Sequence, residues 1–174
     1  ETAFINVLPT LWFRNVWSWY KEAQKPELKK ISDSPVTVEI CHSALNKYFF
    51  YCEGTPNLLF TENETNTERL FGTSNQSKYV KDAINDFIIH GRNEAVNPEY
   101  YGTKASANYP FIIEAGKSAI IKLRLKCNPS EVFHPFDEVF DEVFTSRKKD
   151  ADEFYNAIIP SSLNSSRSNF RRGI

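Results

Sequence analysis

Short runs of alternating apolar and polar residues dominate the first two-thirds of the chain. Residues 36–40 alternate as VTVEI, residues 47–52 are largely aromatic (KYFFYC), and residues 56–60 lead out of a Gly-Thr-Pro turn. A period of two residues is typical of half-buried strands, so these three runs predict a three-stranded meander. Residues 3–14 are apolar and aromatic but contain Pro9, which has no N–H to donate to a sheet. They predict an edge strand or two short strands.

Three polar stretches separate these runs or follow them. Residues 21–31 are rich in lysine, residues 61–78 are polar around a single Leu-Phe-Gly, and residues 91–109 contain Asn-Pro and Gly. All three predict loops. A polar loop as long as the second one is uncommon in a compact domain and is often functional. Residues 111–114 and 118–126 flank an Ala-Gly-Lys turn, and this spacing predicts a hairpin.

Helical periodicity occurs twice. Residues 79–90 carry apolar side chains at helical spacing and predict a short helix, or a loop that runs into a strand. A longer helix is predicted from Phe136, with Phe140 and Phe144 four and eight residues later, up to Pro160. Acidic residues crowd its first turn, where they complement the helix dipole. Strands first and a helix last favour a β-rich body with a helical appendage.

The composition narrows the classes of protein. The 174 residues correspond to one domain or a part of one, and 41% hydrophobic residues suffice for a packed core. A net charge of −1 argues against a dedicated nucleic-acid-binding protein, and no apolar run reaches the length of a membrane span. The sequence has no Met and starts in a strand-like segment without signal-peptide features. We therefore expect a fragment or an excised domain, of undecided compartment.

Side chains that commonly carry catalysis or bind metals are scattered. Cys41, Cys52 and Cys127 form no CxxC pair, so free buried thiols are expected in preference to a Cys41–Cys52 disulfide. Four acidic residues within 137–142 fit a helix start better than a glycosidase pair, whose carboxyls must face each other across a cleft. The sequence has no nucleophile-elbow motif and no phosphate-binding glycine loop. No catalytic residue, metal ligand or cofactor is predicted.

Two segments supply the candidate binding residues: the polar loop 61–78 and an aromatic cluster. The cluster consists of Trp12, Phe13, Trp17, Trp19 and Tyr20. Indole rings stack on the apolar faces of sugars, but they also fill cores and domain interfaces, and the sequence leaves both interpretations open. If residues 17–19 are extended, Trp17 and Trp19 point to opposite faces. The polar loop is either a solvated surface or is held against another domain through its Leu-Phe-Gly. The candidate carbohydrate-binding or interface residues are Trp12, Trp17, Trp19, Glu62, Asn63, Glu64, Arg69 and Phe71.

Six sequence blocks in a fixed order carry a more specific signal. They are VLPTLWFRNVWSW (7–19), LLFTENETNTERLFG (58–72), YVKDAINDFIIHG (79–91), AVNPEYYGTKASANY (95–109), AGKSAIIKLRL (115–125) and DADEFYNAI (150–158). Together they resemble the N-terminal β-sandwich region of glycoside hydrolase family 63-like proteins. These are relatives of the processing mannosyl-oligosaccharide glucosidase and of bacterial glucosidase-like and mannosylglycerate hydrolase-like enzymes. The resemblance covers nearly the whole chain.

The resemblance implies a two-part enzyme. A distorted β-sandwich would pack on a C-terminal α/α barrel that carries the general acid and base for inverting hydrolysis of α-glucosidic bonds, with no metal or cofactor. Family members continue past the equivalent of Asn169 into the barrel, and this sequence departs from their pattern there. We therefore expect a mainly β (α+β) fold. Residues 1–128 would form part of an incomplete sandwich, and residues 129–174 a linker helix toward the missing barrel.

On this interpretation the chain is a non-catalytic portion of a glucosidase-like hydrolase. It would support the barrel, form one wall of the cleft and be inactive alone. Its expected partners are the α/α-barrel domain of the same parent chain and an oligosaccharide substrate, without nucleic acid and without a membrane span. Two alternatives remain open at this point: a free-standing carbohydrate-binding β-sandwich module, and a β-sandwich adaptor that binds protein.

Overall fold

The computed structural model describes residues 1–20, 22–45, 47–128 and 133–160. The chain divides into two compact units, the first over Glu1–Phe133 and the second starting at His134. The described residues contain one 3₁₀ turn, at Asn93–Ala95, together with the following strands and helices. These elements are β1 Ala3–Val7, β2 Thr10–Trp12, β3 Glu27–Asp33, β4 Val36–Cys41, β5 Tyr48–Cys52, β6 Asn57–Thr61, α1 Thr67–Phe71, α2 Ala83–His90, β7 Tyr101–Gly102, β8 Lys104–Ile113, β9 Leu123–Cys127 and α3 Glu138–Ile158.

Two antiparallel sheets build the first unit. In the four-stranded sheet, β8 pairs with β1, β2 and β6. The five-stranded sheet has the strand order β7-β3-β4-β5-β9. With its two sheets and three helices, the described chain is mainly β in an open, sandwich-like α+β arrangement, which confirms the predicted fold class. The predicted choice between one edge strand and two short strands around Pro9 is also decided, in favour of the two strands β1 and β2.

The core lies between the two sheets. Leu28 and Val38 of the five-stranded sheet and Phe60 of the four-stranded sheet are completely buried there. Along β6 the side chains alternate, so Phe60 enters this core while Leu59 contributes to a second cluster with Ile84 of α2. The four-stranded sheet is therefore covered on both of its faces, by the other sheet and by α2.

Three strand pairings differ from the prediction. The strands β4 and β5 do form a hairpin, but β6 pairs with β8 in the other sheet, so the three-stranded meander is wrong. Because Leu58, Leu59 and Phe60 are all buried, β6 needs a cover on both faces, which it has in the four-stranded sheet between the other sheet and α2. The hairpin predicted across the Ala-Gly-Lys turn is also wrong. The strand β8 pairs with β1, whereas β9 pairs with β5.

Two of the predicted loops contain strands. The strand β3 begins inside the lysine-rich stretch, where the ammonium group of Lys30 lies 4.3 Å from the ring centroid of Tyr100 and 2.6 Å from Asp33. These partners let polar side chains occupy a strand. The strand β8 starts at Lys104 with the small residues Ala-Ser-Ala, which bury little apolar area and give a weak sequence signal although they are completely enclosed. The polar loop 61–78 contains the short helix α1.

The predicted helices are confirmed, with shifted starting residues. The helix α2 starts at Ala83, inside the predicted range. The helix α3 starts at Glu138 because the side chain of Asp137 caps it, accepting a hydrogen bond from the amide of Phe140. None of the residues of α3 is buried. The predicted continuation through residues 161–174 lies outside the described residues.

The remaining predictions concern thiols, metals and membranes. None of Cys41, Cys52 and Cys127 is in a disulfide, but only Cys52 is fully buried. Within the described ranges, no three His, Cys, Asp or Glu side chains come together as a metal site would require. The helices found there also lack the combination of length and apolar character that crossing a bilayer requires.

Candidate functional site

An open groove of about 560 Å³ lies in the first unit. Three stretches of chain form most of it: the end of β2 with the turn that follows, the segment after β6, and residues 73–76 beyond α1. Four of the eight predicted candidates line this groove, namely Trp12, Trp19, Asn63 and Glu64. Among the described residues that line it, the two indoles are the only aromatic groups, and they are 59% and 70% exposed. The groove thus presents two open indole surfaces among polar side chains.

A tight turn after β2 sets the positions of the two downstream tryptophans. Asn15 starts this turn, since its Oδ1 accepts the amide of Ser18 at 3.1 Å and its Nδ2 donates to the Ser18 hydroxyl at 2.9 Å. The amide of Trp19 completes it by donating to the carbonyl of Val16 at 3.1 Å. Residues 17–19 therefore form a turn and are not extended, so the condition under which the two indoles would point to opposite faces is not met. Trp17 and Trp19 nevertheless differ in burial, because Trp17 is half-buried and Trp19 is open.

The half-buried Trp17 does not line the groove, but it holds one of the lining residues in place. Its indole Nε1–H donates to Oε1 of Glu64 at 3.0 Å, across 47 positions of the sequence. The ammonium group of Lys25 lies 3.4 Å from the same oxygen and 3.0 Å from Oε2 of Glu62. Both carboxylates are only 13% exposed, so Lys25 joins the segment after β6 to the chain that follows the tryptophan turn.

Thr103 anchors the start of the same segment. Its hydroxyl donates to Oε2 of Glu62 at 2.7 Å and accepts the amide of Asn63 at 2.7 Å. The side-chain Nδ2 of Asn63 then donates to the carbonyl of Phe13 at 2.7 Å. Because Thr103 is 1% exposed, these bonds are shielded from competing water. The groove wall is therefore held in place before any ligand binds.

Two of the predicted candidates lie elsewhere. Arg69 lines a separate polar cleft of about 490 Å³, where its guanidinium group is 3.2 Å from the carboxylate of Asp82. Phe71 ends α1 and is 71% exposed, outside the residues that line either cavity. The short helix α1, which contains both residues, depends on Asn66, whose Oδ1 accepts hydrogen bonds from the amide of Arg69 and from Nδ2 of Asn75. The eight candidates thus divide into six at or behind the groove and two on α1.

Several groove residues were not among the predicted candidates. They are Arg14, Asn15 and Ser18 on the tryptophan turn, Lys81 before α2, and Lys25 and Thr103 behind the wall. The Asn-x-x-Ser spacing at 15–18 is a sequence signal for the turn that was available. No local signal marks Lys25 or Thr103, because their partners lie about 40 residues away in the chain.

Two carboxylates, Glu64 in the groove lining and Glu62 behind it, are held by other groups of the chain. The ammonium group of Lys25 lies 3.4 Å from the first and 3.0 Å from the second. Their oxygens also accept hydrogen bonds from Trp17 and Thr103, which fixes them as structural acceptors. The arrangement is suited to binding through stacking and hydrogen bonds.

The chain is similar to the uncharacterized protein YMR196W of Saccharomyces cerevisiae. The two are 29% identical over 204 aligned positions, which cover 99% of this chain and 19% of the yeast protein. The chain therefore spans about a fifth of the length of the curated relative that it matches. No protein-family model matches the chain, and no solved structure matches it significantly.

Proposed function

We propose that this chain is the non-catalytic β-sandwich portion of a larger glucosidase-like glycoside hydrolase and forms one wall of its oligosaccharide-binding cleft. The observation that carries the proposal is the groove in which the exposed indoles of Trp12 and Trp19 stand among hydroxyl and amide groups. Sugars present apolar C–H faces surrounded by hydroxyl groups, and this lining complements both. The resemblance of six sequence blocks to family 63-like hydrolases supplies the enzyme class.

The size relation to the yeast relative supports the view that further domains complete the site. A relative in which the matching region is 19% of the length has ample chain for a catalytic domain. The ion pairs of Lys25 with Glu62 and Glu64 support a binding role in place of a catalytic one. In this proposal the chain binds the glycan, and residues of another domain cleave the glycosidic bond.

Exposed apolar residues on α1 supply a docking point for that domain. Leu70 is 61% exposed and Phe71 is 71% exposed, at the end of a helix that has no buried residue. Apolar side chains in the middle of a polar segment gain about 1.5–3 kcal/mol each when a partner buries them. We assign this pair to the contact with the α/α barrel, with the groove as a separate surface.

Titration of the 174-residue chain with maltotriose tests the proposed glycan binding. Wild type is expected to bind this α-linked glucose trisaccharide, and Trp12→Ala and Trp19→Ala each to weaken binding about tenfold, which corresponds to about 1.4 kcal/mol. Phe4→Ala is the matched control. Phe4 is 69% exposed, close to the 70% of Trp19, but does not line the groove, so its loss leaves the affinity unchanged.

A hydrolysis assay tests the absence of catalysis. With p-nitrophenyl α-glucoside, the isolated chain is expected to show only the background rate. Hydrolysis that disappears in Glu62→Gln or Glu64→Gln would contradict the non-catalytic assignment. Equal maltotriose affinity in wild type and both tryptophan variants, or a lack of binding at millimolar sugar, would contradict the carbohydrate-binding role.

A further inference from the structure

The charges of the groove do not balance. Its lining includes two cations, Arg14 and Lys81, and one carboxylate, Glu64. That carboxylate shares Lys25, which does not line the groove, with Glu62, so the lining itself has two cations and one carboxylate. The surface that faces a ligand therefore carries an excess of positive charge, although the whole chain has a net charge of −1.

Neither groove cation has an acidic partner in the described part of the chain. Arg14 is exposed between Trp12 and Trp19 in the sequence, and its guanidinium group makes no ion pair there. The ammonium group of Lys81 donates to the hydroxyl of Thr65 at 3.2 Å, which is a neutral acceptor. Both cations are thus available to a ligand, and a guanidinium group can hold a carboxylate or phosphate through two parallel hydrogen bonds.

A nearby lysine is consistent with a positive local potential. The ammonium group of Lys104 donates to the backbone carbonyl of Lys81 at 3.1 Å. Burial lowers the pKa of Lys104, and the charge of Lys81 lowers it further, while Asp82 opposes the shift. Lys104 thus lies close to Lys81 at this end of the groove, where Asp82 supplies an opposing charge.

Resting on the proposed glycan-binding function, we infer that the groove selects an acidic oligosaccharide, one that carries a carboxylate or a phosphate group. Arg14 and Lys81 would contact the anionic group, and the indoles of Trp12 and Trp19 would stack on the sugar rings. An anionic sugar is the ligand that uses every exposed feature of the lining, since a neutral glycan would leave both cations without an acidic partner. Both residues act here as specificity determinants.

The observations favour a sugar over a nucleic acid. Single-stranded nucleic acids are bound along a positively charged track that follows several successive phosphates. This groove offers two free cations and has a volume of about 560 Å³, which suits a few sugar rings. An oligonucleotide is therefore a competing ligand for the test and is not part of the inference.

The test compares ligands that differ only in charge. Maltotriose, the same trisaccharide with a terminal glucuronate, and the same trisaccharide with a 6-phosphate are titrated into the 174-residue chain at low and high salt. The acidic forms are expected to bind about tenfold more tightly at low salt, with the preference falling to about twofold at high salt because exposed charges are screened. A preference for the glucuronate or for the phosphate form identifies which anion the groove favours.

Three variants locate the effect. Arg14→Gln and Lys81→Gln are each expected to reduce the preference for the acidic sugar, measured against maltotriose binding by the same variant, to about threefold or less. Lys117→Gln changes the net charge equally on an exposed turn outside the groove, so it retains the full preference. Circular dichroism and thermal unfolding verify that all three variants are folded.

The contrary outcomes are distinguishable. Equal affinity for neutral and acidic trisaccharides overturns the inference and leaves the glycan-binding function intact. A lack of binding for all three sugars overturns both. Tighter binding of a ten-nucleotide single strand than of any sugar, or a preference that survives in Arg14→Gln and Lys81→Gln, also overturns the assignment of these residues to an acidic sugar.

Discussion

The β-sandwich and the helix α3 are stabilised in different ways. In the sandwich, Leu28 and Val38 of the consecutive strands β3 and β4 meet Phe60 of the other sheet, and none of the three has exposed surface. In α3, no residue is buried, and Phe144 and Phe154 remain 67% and 59% exposed. The sandwich is therefore stabilised by packing between its two sheets, whereas α3 depends on interactions within one or two of its own turns.

An N-cap and two ion pairs between residues three or four positions apart stabilise α3. Asp137 caps its first turn, Arg147 pairs with Asp150 at 2.8 Å, and Lys149 pairs with Glu153 at 3.6 Å. Exposed pairs at these spacings contribute about 0.2–0.5 kcal/mol each. The consequence is that substitutions should have large effects on unfolding in the sandwich and small, local effects in α3.

The largest expected effect comes from truncating the core. Phe60→Ala should lower the free energy of unfolding by about 3–5 kcal/mol, since it removes a fully buried ring and leaves a cavity. Phe144→Ala, the same change on exposed α3, should cost less than about 0.5 kcal/mol. Urea denaturation measures both, with tryptophan fluorescence reporting on the sandwich and far-ultraviolet circular dichroism reporting on α3. Equal losses in the two variants would contradict the distinction between the regions.

A second contrast uses two glycines of the first unit. A Cβ added to Gly102 would lie 2.4 Å from the backbone oxygen of Thr61, where the two sheets approach each other. Gly102→Ala should therefore cost about 1–3 kcal/mol through overpacking. Gly116 has φ of +72° but open space around it, so Gly116→Ala should cost about 1 kcal/mol, from backbone strain alone. A smaller loss at Gly102 than at Gly116 would show that the sheets can separate there.

A third test uses pH on the sandwich core. Burial raises the pKa of the Cys52 thiol from 9.0 to about 12. Above pH 9 the unfolded thiol loses its proton while the folded one keeps it, so the folded state binds more protons and stability falls as pH rises toward 12. Between about pH 9 and 10.5 the expected loss from this group is about 1–2 kcal/mol.

The control for the pH test is Cys52→Ala. This variant starts with lower stability because it leaves a small cavity, but its urea midpoint should fall less steeply above pH 9. Burial also raises the pKa of Tyr109, so some pH dependence remains in the variant. An unchanged slope in Cys52→Ala would contradict the assignment of this thiol.

The smallest expected effect is confined to α3. Asp137→Ala removes the N-cap and should lower the helical ellipticity through fraying of the first turn, at a local cost of about 1 kcal/mol. Glu142→Ala, another exposed acidic residue replaced by a good helix former, should leave the ellipticity nearly unchanged. Neither variant should shift the fluorescence-detected unfolding of the sandwich. A common shift in both signals would mean that α3 unfolds together with the sandwich.

Local sequence composition predicted four of the residues that line the groove. One short stretch of the sequence is unusually aromatic and another is unusually polar, and both line the groove. These stretches supply Trp12, Trp19, Asn63 and Glu64. Arg14 and Lys81 were not selected, because an isolated cation in a mixed-charge sequence carries no signal of its own. Their importance depends on neither cation forming an ion pair in the described structure, which only the folded chain shows.

The sequence by itself determined the elements whose signals are local. These are the hairpin of β4 and β5, the helices α2 and α3, and the interruption at Pro9, since periodicity, capping and proline geometry act within a few residues. The tertiary structure decided which sheet β6 and β9 join, because a strand accepts either neighbour until burial of its two faces selects one. It also decided the groove, since Trp17 reaches Glu64 only after the chain between them has formed the sandwich.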